Sequence, residues 1–184
     1  MKTNDIVSQN DQLERYLSAH RHSVLMDIGQ CESRFSFWQE SALTQVVLPI
    51  GTEMIAKRHF PHTPPTYDDI EYAINDIEDE IEKVAALIPL EGNGYQLISF
   101  NSYLRQLALA CFVKEADIMV LPRTSLERLF GEYAEIVTGR PPRSYEPDIS
   151  PLFYSQLLIF REYFHHLKFT QVTLVNSLSS LITK

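Results

Sequence analysis

Apolar positions along this chain repeat at two periods, and where the period changes marks its elements. Residues 5–19 place Ile6, Leu13 and Leu17 at roughly helical spacing, which predicts a short lead-in helix. Residues 23–29 are a short apolar run ending in Asp27-Ile28-Gly29 and read as a buried strand. Residues 34–39 alternate, with Phe35 and Phe37 on one face, and 43–50 supply a third strand ending at Pro49 and Gly51. Short polar turns at 30–33 and 39–42 make these three an antiparallel meander.

The period then lengthens. Residues 52–60 predict a short helix, closed by the breaker-rich stretch 59–65. Thr66 is an N-cap with Asp68 and Asp69 in the first turn, and Ile70, Ile74, Ile77, Ile81, Val84 and Ile88 step by four and three residues. That stripe faces an acidic side and predicts a long amphipathic helix. After a turn at 91–94, residues 95–100 predict a fourth strand, and Asn101 or Ser102 caps a helix through Cys111. Thr124, with Glu127 as a capping box, opens a helix that stops at Gly139. Residues 140–143 make a rigid loop and 147–167 a long aromatic helix. A β-branched fifth strand at 170–175 and a final helix at 176–184 complete the order.

Composition narrows the class. With 184 residues, 45% of them hydrophobic and 11% aromatic, the chain suits one well-packed domain. A formal net charge of -8 argues against nucleic acid, whose phosphates call for clustered Lys and Arg. The charged amino terminus is no secretory signal, and no stretch approaches the roughly 20 apolar residues of a membrane span. Cys31 and Cys111 lie far apart and are expected as unbridged thiols, buried or half-buried, in a cytoplasmic protein.

Three stretches resemble one family. Asp27-Ile28-Gly29 resembles the D-x-G-G-G-S phosphate loop of the exopolyphosphatase/guanosine pentaphosphate phosphatase (Ppx/GppA) enzymes. Val47-Leu48-Pro49-Ile50-Gly51-Thr52, with its breaker loop and the helix opening at Thr66, looks like their S-L-P-L-G segment. Pro147-Asp148-Ile149-Ser150-Pro151, leading to Gln171-Val172-Thr173-Leu174-Val175, is similar to their R-A-D-x-I-x-P-G helix and following strand. The resemblance covers roughly residues 23–184. It implies one actin-like (ribonuclease H-like) lobe, the second of two, in which a five-stranded mixed sheet of order 3-2-1-4-5 is flanked by helices. Residues 1–22 would be a lead-in.

The departures from that pattern shape the functional expectation. Family enzymes grip phosphate with backbone N–H groups in glycine-rich turns. Here Gln30 and Cys31 stand where side chains would crowd an anion, and Glu32 adds a like charge. Two unit charges about 4 Å apart repel by roughly 4 kcal/mol at an effective dielectric of 20. The second turn reads Ser99-Phe100-Asn101-Ser102, with serines at both glycine positions. Asp27, Gly29, Gln30, Ser33, Ser99 and Ser102 thus form a vestigial phosphate loop, and no catalytic residue is assigned. The family's catalytic glutamate belongs to its first lobe.

Two functional classes follow. One is a scaffold, regulatory or oligomerisation module that binds a protein partner or a second copy of itself, with neither nucleic acid nor membrane. The other is a phosphoanhydride hydrolase using Mg²⁺, acting on polyphosphate or a nucleotide, its site completed by a second lobe or chain. The other constellations point to neither. Pro61 separates His59 from His62, and His165 and His166 project about 100° apart on their helix, so no metal is assigned. Phe153, Tyr154, Phe160, Tyr163 and Phe164 read as core packing with room for an interface. Arg140 and Arg143 read as a solvated loop.

Overall fold

The computed structural model describes residues 3–177, with side chains from residue 11 onward. Its first three strands are β1 (Ser23–Ile28), β2 (Ser33–Gln39) and β3 (Ala42–Leu48), joined as the expected meander. The β2–β3 turn is a two-residue one with φ of 50° at Glu40 and 65° at Ser41, the left-handed pair that suits the twist of a tight hairpin. Buried Phe35 and Phe37 point into the core, as the alternation predicts.

Among the described residues the sheet has six strands rather than five, in the order β3-β2-β1-β4-β6-β5. Strand β4 (Gln96–Ser99) runs parallel to β1, and β6 (Gln171–Val175) runs parallel to β4. The five expected strands therefore keep the order 3-2-1-4-5, and β5 (Ile118–Pro122) adds an antiparallel edge beside β6. Ile118-Met119-Val120-Leu121 is too short a run for its period to declare a strand, and pairing with β6 decides it.

Six helices among these residues complete the architecture: α1 (Thr3–Ala19), α2 (Thr52–His59), α3 (Tyr67–Val84), α4 (Ser102–Ala110), α5 (Arg123–Val137) and α6 (Pro151–Leu167). One face of the sheet joins α2 to α6 in a continuous core. The other face carries a smaller cluster in which Leu13, Tyr16 and Leu17 of α1 meet Leu25, Ile98 and Val175. Helix α3 buries Ile70, Ala73, Ile77 and Ile81, the predicted stripe. Its start is a full capping box: the Thr66 hydroxyl accepts from the Asp69 N–H (3.2 Å), and Asp69 Oδ2 accepts from the Thr66 N–H (2.8 Å).

Helix α6 is the hub, packed against α2, α3, α4 and α5. Ser150 caps it by accepting from the Phe153 N–H, and Pro151 takes the first-turn position that needs no donor. Leu157, Leu158, Ile159, Phe160 and Phe164 are fully buried, so this aromatic helix is core rather than interface. Fully burying each such side chain is worth about 1.5–3 kcal/mol.

Three local expectations change. Helix α5 begins at Arg123 after Pro122, and its cap residue makes no side-chain hydrogen bond, so Thr124 and Glu127 form no capping box. Glu127 pairs instead with Arg161 (3.3 Å). The loop at 140–143 is an ion cluster rather than a solvated patch: Arg140 grips Glu146 with two 2.8 Å hydrogen bonds, and Arg143 joins it. Those Arg140 hydrogen bonds hold the Glu146 carboxyl below its ordinary range against the cost of burial. The cysteines are free as expected, but Cys31 is exposed. Burial pushes the Cys111 thiol up to about 12. The helix expected over 176–184 falls almost wholly outside the described residues.

Although desolvation opposes it, hydrogen bonds from Thr66 and His62 hold the Asp69 carboxyl below its ordinary value. The unfolded chain therefore takes up the proton first, and this group's contribution is present at neutral pH and lost as pH falls below about 4. Asp69→Asn is expected to lose less stability than wild type between pH 5 and pH 3. Urea midpoints across that range check it, and parallel acid limbs would contradict it.

Candidate functional site: a closed strand-end junction

In open α/β sheets, ligands sit beyond the carboxyl ends of the parallel strands, where neighbouring connections diverge. Here that place lies beyond β1 and β4. Asp27 stands at the end of β1 and is half-buried, Ser99 ends β4 fully buried, and Ser33 opens β2 fully buried. Gly29, Gln30 and Ser102 are exposed. The fold thus gathers Asp27, Ser33 and Ser99 at one end of the sheet, while the other three face solvent.

The residue that organises this junction is Asn101, which the sequence marked only as a helix cap. It occupies the cap position of α4, yet its side chain makes no cap hydrogen bond. It reaches across to β1 instead. Its Oδ1 accepts from the Ile28 N–H (3.0 Å) and from the Ser99 hydroxyl (3.0 Å). Its Nδ2 donates to Asp27 Oδ1 (3.0 Å) and to the Ile28 carbonyl (3.1 Å). An amide side chain has two donor hydrogens and two acceptor lone pairs, so Asn101 is saturated. The backbone donor that an anion would seek at the end of β1 is already used.

The adjoining turn is closed in the same way. The Gly29 N–H donates to the Glu32 carbonyl (2.8 Å) and shuts the β1–β2 hairpin. The carbonyls of Gly29 and Gln30 then accept from the first N–H groups of α2: Thr52 to Gly29 (3.0 Å), Glu53 to Gln30 (3.0 Å) and Met54 to Gln30 (3.1 Å). Free N–H groups and a positive dipole end make a helix start an anion site. At α2 three of those donors are spent on the chain's own carbonyls.

This closure adds a backbone reason for a poor phosphate cradle to the one expected from side chains. The side chains of Gln30, Cys31 and Glu32 are exposed. Gln30 donates to Glu53 Oε1 (2.7 Å), and Glu32 accepts from Arg34 (2.8 Å). The backbone of the turn lies close against the start of α2. Gly51 shows how tightly: a Cβ there would overlap the Gln30 carbonyl oxygen and the Cys31 nitrogen. The Pro-Ile-Gly-Thr segment therefore keeps its glycine because the turn rests on it.

Behind the turn, the Ser33 hydroxyl donates to the Ile50 carbonyl (2.6 Å) and the Ser155 hydroxyl to the Thr52 carbonyl (2.6 Å). Tyr103 and Tyr163 fill the interior. Burial, with Tyr163 and the Asp27 charge behind it, pushes the Tyr103 phenol well up, so it stays neutral. Mg²⁺ takes near-octahedral oxygen ligands, usually one or two carboxylates with phosphate oxygens and water. Among Asp27, Ser33, Ser99, Asn101 and Tyr103 there is one carboxylate, and Asn101 holds one of its oxygens. This lobe therefore offers Mg²⁺ a single carboxylate oxygen, and any further ligands would come from phosphate and water.

Asn101→Ala orphans the Ile28 N–H and the Asp27 carboxylate and is expected to cost about 1–3 kcal/mol. Gly51→Ala forces the hairpin off α2 and is expected to cost a similar amount through overpacking. Urea denaturation of both variants checks this; unchanged midpoints would show that the junction is not held by these contacts.

No family model and no curated protein matches the chain. Solved structures do. It is similar to the Aquifex aeolicus Ppx/GppA enzyme with a TM-score of 0.68 at 15% identity, over 95% of this chain and 62% of that one. It is similar to an exopolyphosphatase from Cytophaga hutchinsonii with a TM-score of 0.62 at 16% identity, over 94% of this chain and 61% of that one. An exopolyphosphatase-like protein gives 0.63 at 15% identity, over 88% and 58%. The chain spans less than two thirds of the length of these structures, and over that span its fold is that of the Ppx/GppA phosphatases.

Proposed function

We propose that this chain is a Ppx/GppA-like domain without catalysis of its own, a cytoplasmic pseudoenzyme that acts as a scaffold, regulatory or oligomerisation module. The observation that carries this reading is the saturation of Asn101, together with the α2 start spending three N–H groups on the Gly29 and Gln30 carbonyls. Phosphate would have to displace contacts that the fold already makes. Its partner is a protein or a second copy of the chain. Phe112 and Tyr145 pack together while largely exposed, and Val120 is exposed on the edge strand β5, which supports a docking role.

A second reading has one observation in its favour. Asp27 sits at the end of β1, where an acidic group would face a substrate brought in by a second lobe. On this reading the whole protein is a phosphoanhydride hydrolase that uses Mg²⁺ on polyphosphate or a guanosine nucleotide.

The two readings part in a hydrolysis assay with polyphosphate and guanosine pentaphosphate in Mg²⁺, comparing wild type with Asp27→Ala. The module reading predicts no turnover above background for either protein. Turnover by wild type that Asp27→Ala abolishes would overturn it in favour of the hydrolase.

A further inference from the structure

Away from the strand-end junction, near the carboxyl end of α6, one charged group is buried without a full set of partners. Glu162 has no exposed surface. Its Oε1 is held by the Arg161 guanidinium, which also reaches Glu127 (3.3 Å) and stacks on Phe130 at 4.5 Å. Its Oε2 is buried and receives no hydrogen bond. Burial pushes the Glu162 carboxyl up, against the opposing charge of Arg161. A buried carboxylate oxygen left unpaired is costly, and so it calls for a partner.

Two further ligand-type groups converge on that oxygen. His166, one turn further along α6, places Nε2 3.7 Å from Glu162 Oε2, too far for a hydrogen bond. From the facing helix α3, Glu78 Oε1 lies 3.1 Å from the same Nε2. One donor atom from each of Glu78, Glu162 and His166 lies within 4.8 Å of the others. Four-coordinate zinc, with bonds of about 2.0–2.2 Å, holds its donors roughly 3.3–3.6 Å apart. The His166 pairs bracket that spacing, and the Glu78 side chain, 36% exposed, is free to adjust.

We propose that Glu78, Glu162 and His166 form a binding site for a divalent transition ion of the zinc class, linking α3 to α6. Imidazole nitrogen with two carboxylates is a donor set that such ions favour over Mg²⁺ or Ca²⁺. Three protein ligands leave a fourth position, and the partial exposure of Glu78 and His166 opens it to solvent. The ion supplies the missing partner of Glu162 Oε2. Its two charges balance the two carboxylates, while Arg161 stays with Glu127 and Oε1. Comparing histidine with histidine along the sequence conceals this set. His165 and His166 meet edge to face at 5.3 Å, and the ligand pairing lies instead between His166 and Glu162, with Glu78 supplied by the fold.

The test uses the full chain, stripped with a chelator and titrated with Zn²⁺ alone against a chromogenic competitor, with Co²⁺ as a spectroscopic probe. The expected result is one saturable ion per chain, visible Co²⁺ bands of low coordination number, and a rise in thermal midpoint with Zn²⁺. Glu78→Gln and His166→Ala should each weaken binding at least tenfold and abolish the thermal shift, while His62→Ala leaves both unchanged. Glu78 lies at the rim, so its variant keeps the test sound should His166→Ala fold poorly. Absence of saturable uptake would overturn the site. Uptake that survives Glu78→Gln, or is lost in His62→Ala, would equally overturn the site.

Discussion

A backbone N–H can serve an incoming anion or an acceptor in its own chain, and at the end of this sheet the N–H groups of Ile28, Gly29, Thr52, Glu53 and Met54 make the second choice. Asn101 ties the ends of β1 and β4 with four hydrogen bonds, and the β1–β2 turn lays its carbonyls on the start of α2. The remainder of the fold is built onto that closure. Gly51 lets the turn and the helix touch, Thr52 passes the contact to Ser155, and Ser155 belongs to the helix around which α2, α3, α4 and α5 pack. The saturated amide of Asn101 favours one arrangement, because losing it would leave the Ile28 N–H unpaired.

Much of this architecture is legible in the sequence. The meander follows from the alternation at Phe35 and Phe37, and α3 from its isoleucine stripe and the Thr66–Asp69 box. Gly139 marks a helix stop through its positive φ, whereas α6 opens at Pro151 behind the Ser150 side-chain cap, four residues after the start expected at 147. Strand β5 is not legible, because a run of five residues ending in proline carries no periodic signal and takes its identity from β6. Arg140 and Glu146 are equally hidden: a basic loop looks solvated until the fold buries an acid beneath it.

The junction itself is half legible. Serines stand at the second turn, and Gln30, Cys31 and Glu32 at the first, as the sequence reads, but the backbone closure of the first turn does not show in residue types. Residue types foretell side-chain conflict and say little about where a carbonyl will aim. Asn101 illustrates the point. At a strand-to-helix corner an asparagine reads as a cap, and its actual partners lie 73 and 74 residues earlier in the chain. Helix α6 carries buried polar groups toward both its ends. Ser155 serves the junction, while Glu162 and His166 lie up to about 16 Å further along the axis and serve the contact with α3.

The direct measurement of the central claim is an amide-resolved NMR titration of the chain with inorganic pyrophosphate in Mg²⁺, following Ile28, Thr52, Glu53 and Met54. If these N–H groups are committed to Asn101 and to the Gly29 and Gln30 carbonyls, their resonances stay in place at all ligand concentrations. A saturable shift confined to these four amides would mean that the junction opens to hold phosphate, and would contradict its closure.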